Sequence, residues 1–483
     1  MVKTGSYYLL SRPRRFGKSL LLSTLEAYFQ GKRELFDGLA IEKLEKDWIN
    51  YPILHLDLNA RNYENKNSLL EELNKHLEIW ERAYNSPYGN RAPEERFYQV
   101  IRLAAEQTGQ PVVILVDEYD KPLLQTIGNK ELQASYRSIL KPFYGVLKSM
   151  DKFIKFALLT GVTKFGKVSV FSDLNNLDDI SMREPYISLC GMTEKEIHDN
   201  LEIELHELAT TLNITFEKVC SKLKEYYDGY HFVENTEGIY NPFSLLNTFK
   251  YNKFSNYWFE TGTPTYLVEL LKQNHYDLER MAHEETDADV LNSIYGDDQP
   301  IPVIFQSGYL TIKGYDEQFE LYRLGFPNRE VEEGFIKFLL PFYTRFNKTE
   351  SSFEIKKFVR EIEAGDIDAF FRRLQSFFAD TPYELIRDLE LHYQNVLFIV
   401  FKLVGFYVKA EYHTSVGRID LALQTDKYIY VMEFKLDGTA EEALQQIDDK
   451  KYALPFASDT RKLYRIGVNF STQTRNIEKW IVE

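Results

Sequence analysis

Two stretches of this chain combine residue types that act on phosphates. Near the C-terminus, Arg418-Ile419-Asp420 opens a β-forming run that reaches Gln424, and a second run from Tyr428 to Lys435 ends in Glu433-Phe434-Lys435. The polar tip Thr425-Asp426-Lys427 lies between them, so the pattern predicts a hairpin. A turn centred between Asp426 and Lys427 puts Asp420 opposite Glu433, with Cβ atoms about 5 Å apart. Lys435, two residues beyond Glu433, falls on the same face. Like charges directly opposite destabilise a sheet unless a cation joins them. The expected chemistry is metal-assisted hydrolysis. Asp420 and Glu433 hold Mg²⁺ (or Mn²⁺), and Lys435 orients or polarises the attacking water or steadies transition-state charge. The bland alternative is the solvated face of an exposed hairpin. It fits poorly with the apolar neighbours Ile419, Leu421, Leu423, Ile429, Val431 and Phe434.

At the other end, Tyr7 to Leu10 reads as a short buried strand. Ser11-Arg12-Pro13-Arg14-Arg15-Phe16-Gly17-Lys18-Ser19 follows, then a helical run from Leu20 to Phe29. Strand, loop ending Gly-Lys-Ser and helix is the setting of a P-loop. Bare backbone N–H groups around Gly17 and a helix N-terminus would wrap phosphates, Lys18 would reach the β/γ oxygens, and Ser19 would bind Mg²⁺. Arg12 stands where the first glycine of the usual loop would be, so tight wrapping requires that Arg12 avoid a left-handed conformation. Arg14 and Arg15 could offset that departure as extra phosphate contacts. The apolar run Pro111 to Val116 reads as a central parallel strand. It ends in Asp117-Glu118, with Asp117 expected in the Mg²⁺ shell and Glu118 as water-activating base. A third run, Phe153 to Leu159, ends in Thr160-Gly161, which makes Thr160 a γ-phosphate sensor candidate. Lys18 and Ser19 alone would be no more than a helix start in a loop; the Asp-Glu strand end argues otherwise.

The C-terminal hairpin resembles the PD-(D/E)XK nuclease superfamily, whose pattern is an Asp on one strand and Glu-x-Lys on the next. That resemblance implies a further carboxylate from a preceding helix and a polar residue on a following one. Glu390, opening the helical pattern Leu391 to Leu403, matches the first, with Glu384 as competitor and a helix-dipole partner as the bland alternative. Gln446, in a helix from Ala440 to Tyr452, matches the second. The N-terminal half resembles the AAA-ATPase-like family of bacterial proteins. The matching residues are Arg12 to Ser19, Asp117-Glu118-Tyr119-Asp120-Lys121-Pro122, Leu159-Thr160-Gly161-Val162, Tyr226-Tyr227-Asp228-Gly229-Tyr230 and Asn241-Pro242-Phe243-Ser244. The resemblance implies that Arg12 is normal for this loop and that a PD-(D/E)XK-type domain follows. Only Met1 to Ser6 precede the first strand, fewer than the family usually carries, so a shortened start is expected.

These elements imply an α/β protein. A P-loop NTPase-like parallel sheet occupies 1–215, a helical lid with a winged-helix element 216–344, and a PD-(D/E)XK (restriction-endonuclease-like) α/β domain 345–483. Strands are expected at Tyr7–Leu10, Ile53–Leu58, Val112–Val116, Phe153–Leu159 and Tyr186–Leu189, and a last core strand at Leu463–Asn469. Over 483 residues, 44% hydrophobic and 15% aromatic content argues for large cores and against disorder. Two cysteines, Cys190 and Cys220, are too few for a disulfide framework or a zinc site, which favours a reducing cytoplasm. No apolar segment reaches the roughly 18 residues of a membrane helix. A net charge of −15 weighs against a whole-surface grip on DNA but leaves local basic patches and bound cations to serve a nuclease.

The expected function is an ATP-binding, AAA-like module that regulates a Mg²⁺-dependent phosphodiesterase acting on nucleic acid, DNA in preference to RNA. Two alternatives stand beside it: a non-catalytic ATP-dependent switch whose nuclease-like fold only binds, and an ATPase acting on a protein partner. AAA-like assembly into a homo-oligomer is compatible with the sequence, although no arginine finger can be singled out.

Overall fold

The computed structural model describes residues 1–3, 5–87, 89–164, 171, 174, 176–261, 265–292, 300–344, 348–379, 389–415 and 418–483. The chain forms two compact units, Met1–Trp258 with Glu285–Asn328, and Phe259–Glu284 with Arg329–Glu483.

The first unit is built on five parallel strands: β1 (Tyr7–Ser11), β2 (Ile53–Asp57), β3 (Val112–Asp117), β4 (Ile154–Gly161) and β5 (Asp178–Asp179). Their order is β2-β3-β4-β1-β5. All six residues of β3 are buried, because both faces of the sheet are covered and alternate side chains serve two cores. Val113 and Leu115 pack with Tyr8, Leu10 and Leu158 against Leu22, Leu25 and Phe29 of the helix Lys18–Phe29. Ile114 and Val116 pack with Leu9 and Leu159 against the helices Ser68–Ala83, Pro93–Thr108 and Lys130–Ser149. The strand expected at Tyr186–Leu189 does not form. A short 3-10 turn, Glu184–Tyr186, stands there, and the carbonyls of Tyr186 and Leu189 accept hydrogen bonds from the Arg12 guanidinium instead of a neighbouring strand. The edge strand is β5, upstream.

Beyond the parallel sheet lie short helices and a three-stranded antiparallel sheet of β6 (Glu285–Thr286), β7 (Thr311–Asp316) and β8 (Leu321–Gly325). Helices Ala288–Asn292 and Pro300–Gln306 lie between β6 and β7.

The second unit carries a mixed sheet in the order β13-β12-β11-β10-β9. Its strands are β9 (Lys409–Ser415), β10 (Arg418–Gln424), β11 (Tyr428–Leu436), β12 (Lys462–Ser471) and β13 (Asn476–Val482). β10 runs antiparallel to both neighbours. β11 and β12 run parallel and are joined across one face by the helix Ala440–Asp449, as a parallel connection requires. Strand alternation then divides the residues of β11. Ile429 and Val431 pack on Leu444 and Ile447 of that helix. Phe434 faces the other way, with its ring centroid 6.3 Å from Phe371 and 6.0 Å from Phe401, on the helices Ile367–Phe378 and Leu389–Gly405. Among the described residues no helix is long and apolar enough to cross a membrane.

Candidate functional site

Because β4 lies between β1 and β3, the C-terminal ends of these three strands are neighbours, the edge at which open α/β sheets bind ligands. Loop 12–17 leaves β1 there. Arg12 keeps a negative φ, and the left-handed positions fall instead on Arg15 (φ 64°) and Gly17 (φ 98°). Nothing lies within 4 Å of a Cβ built on Gly17, so the loop keeps open space at the start of the helix Lys18–Phe29. The Lys18 ammonium is buried. It donates to the carbonyls of Arg12 (3.1 Å) and Pro13 (3.4 Å) and pairs with Glu118 at 3.1 Å. Ser19 Oγ donates to Asp117 Oδ2 at 2.5 Å, and Thr160 Oγ1 donates to Asp117 Oδ1 at 2.8 Å. Glu118 has φ 52°, an uncommon conformation for a non-glycine residue and one that tends to persist at functional sites. The structure thus brings Gly17, Lys18, Ser19, Asp117, Glu118 and Thr160 together.

The loop arginines are differently placed. Arg12 is buried and donates to four carbonyls, those of Ser11 (2.9 Å), Ser181 (2.7 Å), Tyr186 (2.8 Å) and Leu189 (3.3 Å), with Phe232 stacked 4.0 Å from its guanidinium carbon. Arg14 lies over Trp258 at 4.9 Å and donates to the Tyr309 hydroxyl at 3.2 Å, while its carbonyl accepts from the Trp258 indole at 2.8 Å. Arg15 lies over Phe243 at 5.3 Å. Phe16 meets Tyr230 edge-on, with centroids 4.8 Å apart. The aromatic partners of this loop lie more than two hundred residues downstream, and spacing carries no signal for them. Asp120 escaped notice for another reason: it lies within the Asp117-Glu118-Tyr119-Asp120 stretch, but only the fold reveals its complete burial.

In the second unit, Asp420 of β10 is paired with Glu433 of β11, and Arg418 with Lys435. The same row continues to His413 on β9 and Gly467 on β12. Glu433 is fully buried and shares the face of Ile429 and Val431, under the helix Ala440–Asp449. Gly467 permits that approach, since a Cβ there would lie 2.6 Å from the Leu444 nitrogen. Lys435 is half-buried two pairs further along, and half-buried Gln446 belongs to the overlying helix. Glu390 sits at the start of the helix Leu389–Gly405, which packs on the opposite face. The side chains of Asp420 and Glu390 lie outside the described residues, as does Glu384 entirely. Among the described residues no cluster of three or more potential metal ligands assembles. A buried carboxylate with a second acidic residue in register still has the donor chemistry a hard divalent cation requires.

Residues 1–171 match the family model of a Predicted AAA-ATPase, and residues 388–480 match that of the PD-(D/E)XK nuclease superfamily. The chain is also similar to a protein of Azotobacter chroococcum mcd 1 described as an uncharacterized protein in the vnfD 5′ region. The two are 35% identical over 502 aligned positions, covering 100% of this chain and 93% of that one. With a parallel P-loop sheet in its first unit and an Asp, Glu-x-Lys hairpin in its second, this chain belongs to the AAA-ATPase-like family and carries a PD-(D/E)XK nuclease superfamily domain.

Proposed function

We propose that this protein is an ATP-regulated, metal-dependent phosphodiesterase acting on nucleic acid, DNA in preference to RNA. The observation that carries the reading is the pairing of Asp420 with fully buried Glu433, with Lys435 two residues on along the same face. Asp420 and Glu433 would hold Mg²⁺ or Mn²⁺. A bound divalent cation supplies Lewis acidity and lowers the pKa of coordinated water. Lys435 steadies charge at the scissile phosphate and Gln446 serves as a supporting group, whereas Glu390 opens a helix on the opposite face of the sheet and receives no role in the site.

In the first unit, Gly17 and the helix start bind the ATP phosphates, Lys18 meets the β/γ oxygens, and Ser19 and Asp117 hold the accompanying Mg²⁺. Glu118 is the base, and Thr160 the sensor. Ligand entry would separate Lys18 from Glu118, freeing the carboxylate to orient water. Arg14 and Arg15 could add phosphate contacts only by leaving Trp258, Tyr309 and Phe243. We assign the ATPase-like part to 1–215, the helical lid with its winged-helix element to 216–344 and the nuclease-like part to 345–483. The protein would work in the cytoplasm, with homo-oligomeric assembly left to the AAA-like part. ATP regulates by favouring a cleavage-competent state, a shift limited by its differential affinity for the two states.

The second reading is a non-catalytic nucleotide switch. One observation favours it: the loop residues Arg12, Arg14, Arg15 and Phe16 are all engaged by groups outside the sheet, an arrangement suited to reporting nucleotide state. Purified protein incubated with DNA and Mg²⁺ separates the two. Cleavage lost on Glu433→Gln while ATP binding persists supports the enzyme. ATP binding without cleavage by the wild type supports the switch.

A further inference from the structure

We propose that Asp120 is a positioning residue of the nucleotide site, holding the turn after β4 so that Thr160 stays on Asp117. This rests on the nucleotide-binding reading above and assigns that site a residue beyond the Walker-type set. Both oxygens of the buried carboxylate are used. Oδ2 accepts from the Thr163 N–H at 2.6 Å and the Thr163 hydroxyl at 2.7 Å, and Oδ1 accepts from the Val162 N–H at 3.2 Å. Tyr119 completes the strap: its N–H donates to the Thr160 carbonyl at 2.9 Å and its hydroxyl to the Thr163 carbonyl at 2.7 Å. Two consecutive residues at the end of β3 therefore tie down residues 160–163 at the end of β4.

The consequence falls on Asp117. One of its oxygens takes the Thr160 hydroxyl and the other takes Ser19, so its orientation is set from both sides. If the turn loosens, Thr160 leaves and Asp117 can rotate away from the cation it is meant to hold. Asp120 is a poor base candidate itself, because it is fully buried and its acceptors are occupied. Glu118, partly exposed beside Lys18, is the open carboxylate. Gly161 supports the same conclusion from the opposite side. A Cβ there would lie 2.7 Å from Tyr119 Cε1 and would also strike Asp120 Oδ1. Burial and the negative charge of Glu118 push the Asp120 carboxyl up to about 6, so at neutral pH it is the ionised, accepting form that the strap uses.

The test uses the full-length protein and titrates ATP with and without Mg²⁺, alongside ATP turnover. Asp120→Asn keeps the shape but must turn its amide N–H towards a backbone N–H donor, that of Val162 or that of Thr163. The expected result is ATP affinity in EDTA within about threefold of wild type, while the Mg²⁺-dependent gain and the turnover each fall by about tenfold or more. Gly161→Ala displaces the same carboxylate without altering its charge and should give the same split. Thr163→Val, which removes one of the three bonds, should give a smaller loss in the same direction and serves if Asp120→Asn does not fold. A merely structural Asp120 would lower the melting temperature and leave the Mg²⁺ dependence at wild-type size in these variants, which overturns the proposal. Lys18→Ala guards the parent reading. If wild type and Lys18→Ala bind ATP alike, the nucleotide site itself is misassigned, and the proposal falls with it.

Discussion

Arg12 occupies the position at which an ordinary P-loop has glycine, and restoring that glycine should unfold rather than improve the site. In Arg12→Gly, the carbonyls of Ser11, Ser181 and Leu189 lose the Arg12 donor together, while that of Tyr186 keeps the Leu189 N–H at 3.1 Å. A buried polar group left unsatisfied costs about 1–3 kcal/mol, so three of them represent roughly 6 kcal/mol gross. Against this stands the burden of burying the charge. Burial lowers the Arg12 guanidinium to about 10, which by the usual conversion is roughly 3 kcal/mol recovered when the charge is removed. The net loss should be about 3 kcal/mol. At about 2–4 °C per kcal/mol, the melting temperature should fall by roughly 9 °C. Differential scanning calorimetry of wild type, Arg12→Gly and Arg12→Lys would measure this, with the lysine variant intermediate because it keeps the charge but not the fork. If Arg12→Gly melts within about 2 °C of wild type, a margin worth less than roughly 1 kcal/mol, the guanidinium is not holding the turn at 184–189 and the reasoning fails.

Asp120 gives a pH signature. The native carboxyl keeps its proton up to about 6 while the unfolded one releases it near 3.8. The native state therefore binds more protons in that window, and this group's stabilisation is present below 3.8 and lost as pH rises to about 6. Urea unfolding should show that decline, of roughly 1–3 kcal/mol, in wild type and not in Asp120→Asn. Glu433→Gln replaces a fully buried acid whose register partner is Asp420 and should abolish stabilisation by Mn²⁺. Mn²⁺ should raise the melting temperature of wild type alone; an equal shift in the variant would place the metal elsewhere. Gly467→Ala should destabilise the second unit by about 2–3 kcal/mol, since the obstacle is helix backbone that cannot yield by rotating a side chain. Denaturant midpoints equal to wild type would mean the helix Ala440–Asp449 does not cross β12 there.

The parts legible in the sequence were those with local causes. Pro111 to Val116 could only be a strand covered on both faces, and the Thr425-Asp426-Lys427 tip set a register that pairs Asp420 with Glu433. What escaped had remote causes. Tyr186 to Leu189 has strand-like residues, but their carbonyls are taken by Arg12, about 175 positions away, a competition that propensity does not encode. The partners of Arg14 lie 244 and 295 residues downstream, at Trp258 and Tyr309. The outer strands β9 and β13 and the small β6-β8-β7 sheet also went unforeseen. Edge strands are short or polar, and β6 has two residues, too few for any periodicity. Glu118 looked like a base by its place after Asp117, but its left-handed backbone had no sequence signal, because φ there is imposed by surrounding packing.

The central claim is that ATP in the first unit controls phosphodiester cleavage in the second. The direct measurement is the initial rate of cleavage of end-labelled linear, circular and single-stranded DNA in Mg²⁺, with and without ATP, for wild type, Lys18→Ala and Glu433→Gln. The account predicts cleavage by wild type that changes with ATP, cleavage by Lys18→Ala that is indifferent to ATP, and none by Glu433→Gln. Cleavage that survives Glu433→Gln, or an ATP response that survives Lys18→Ala, would contradict it.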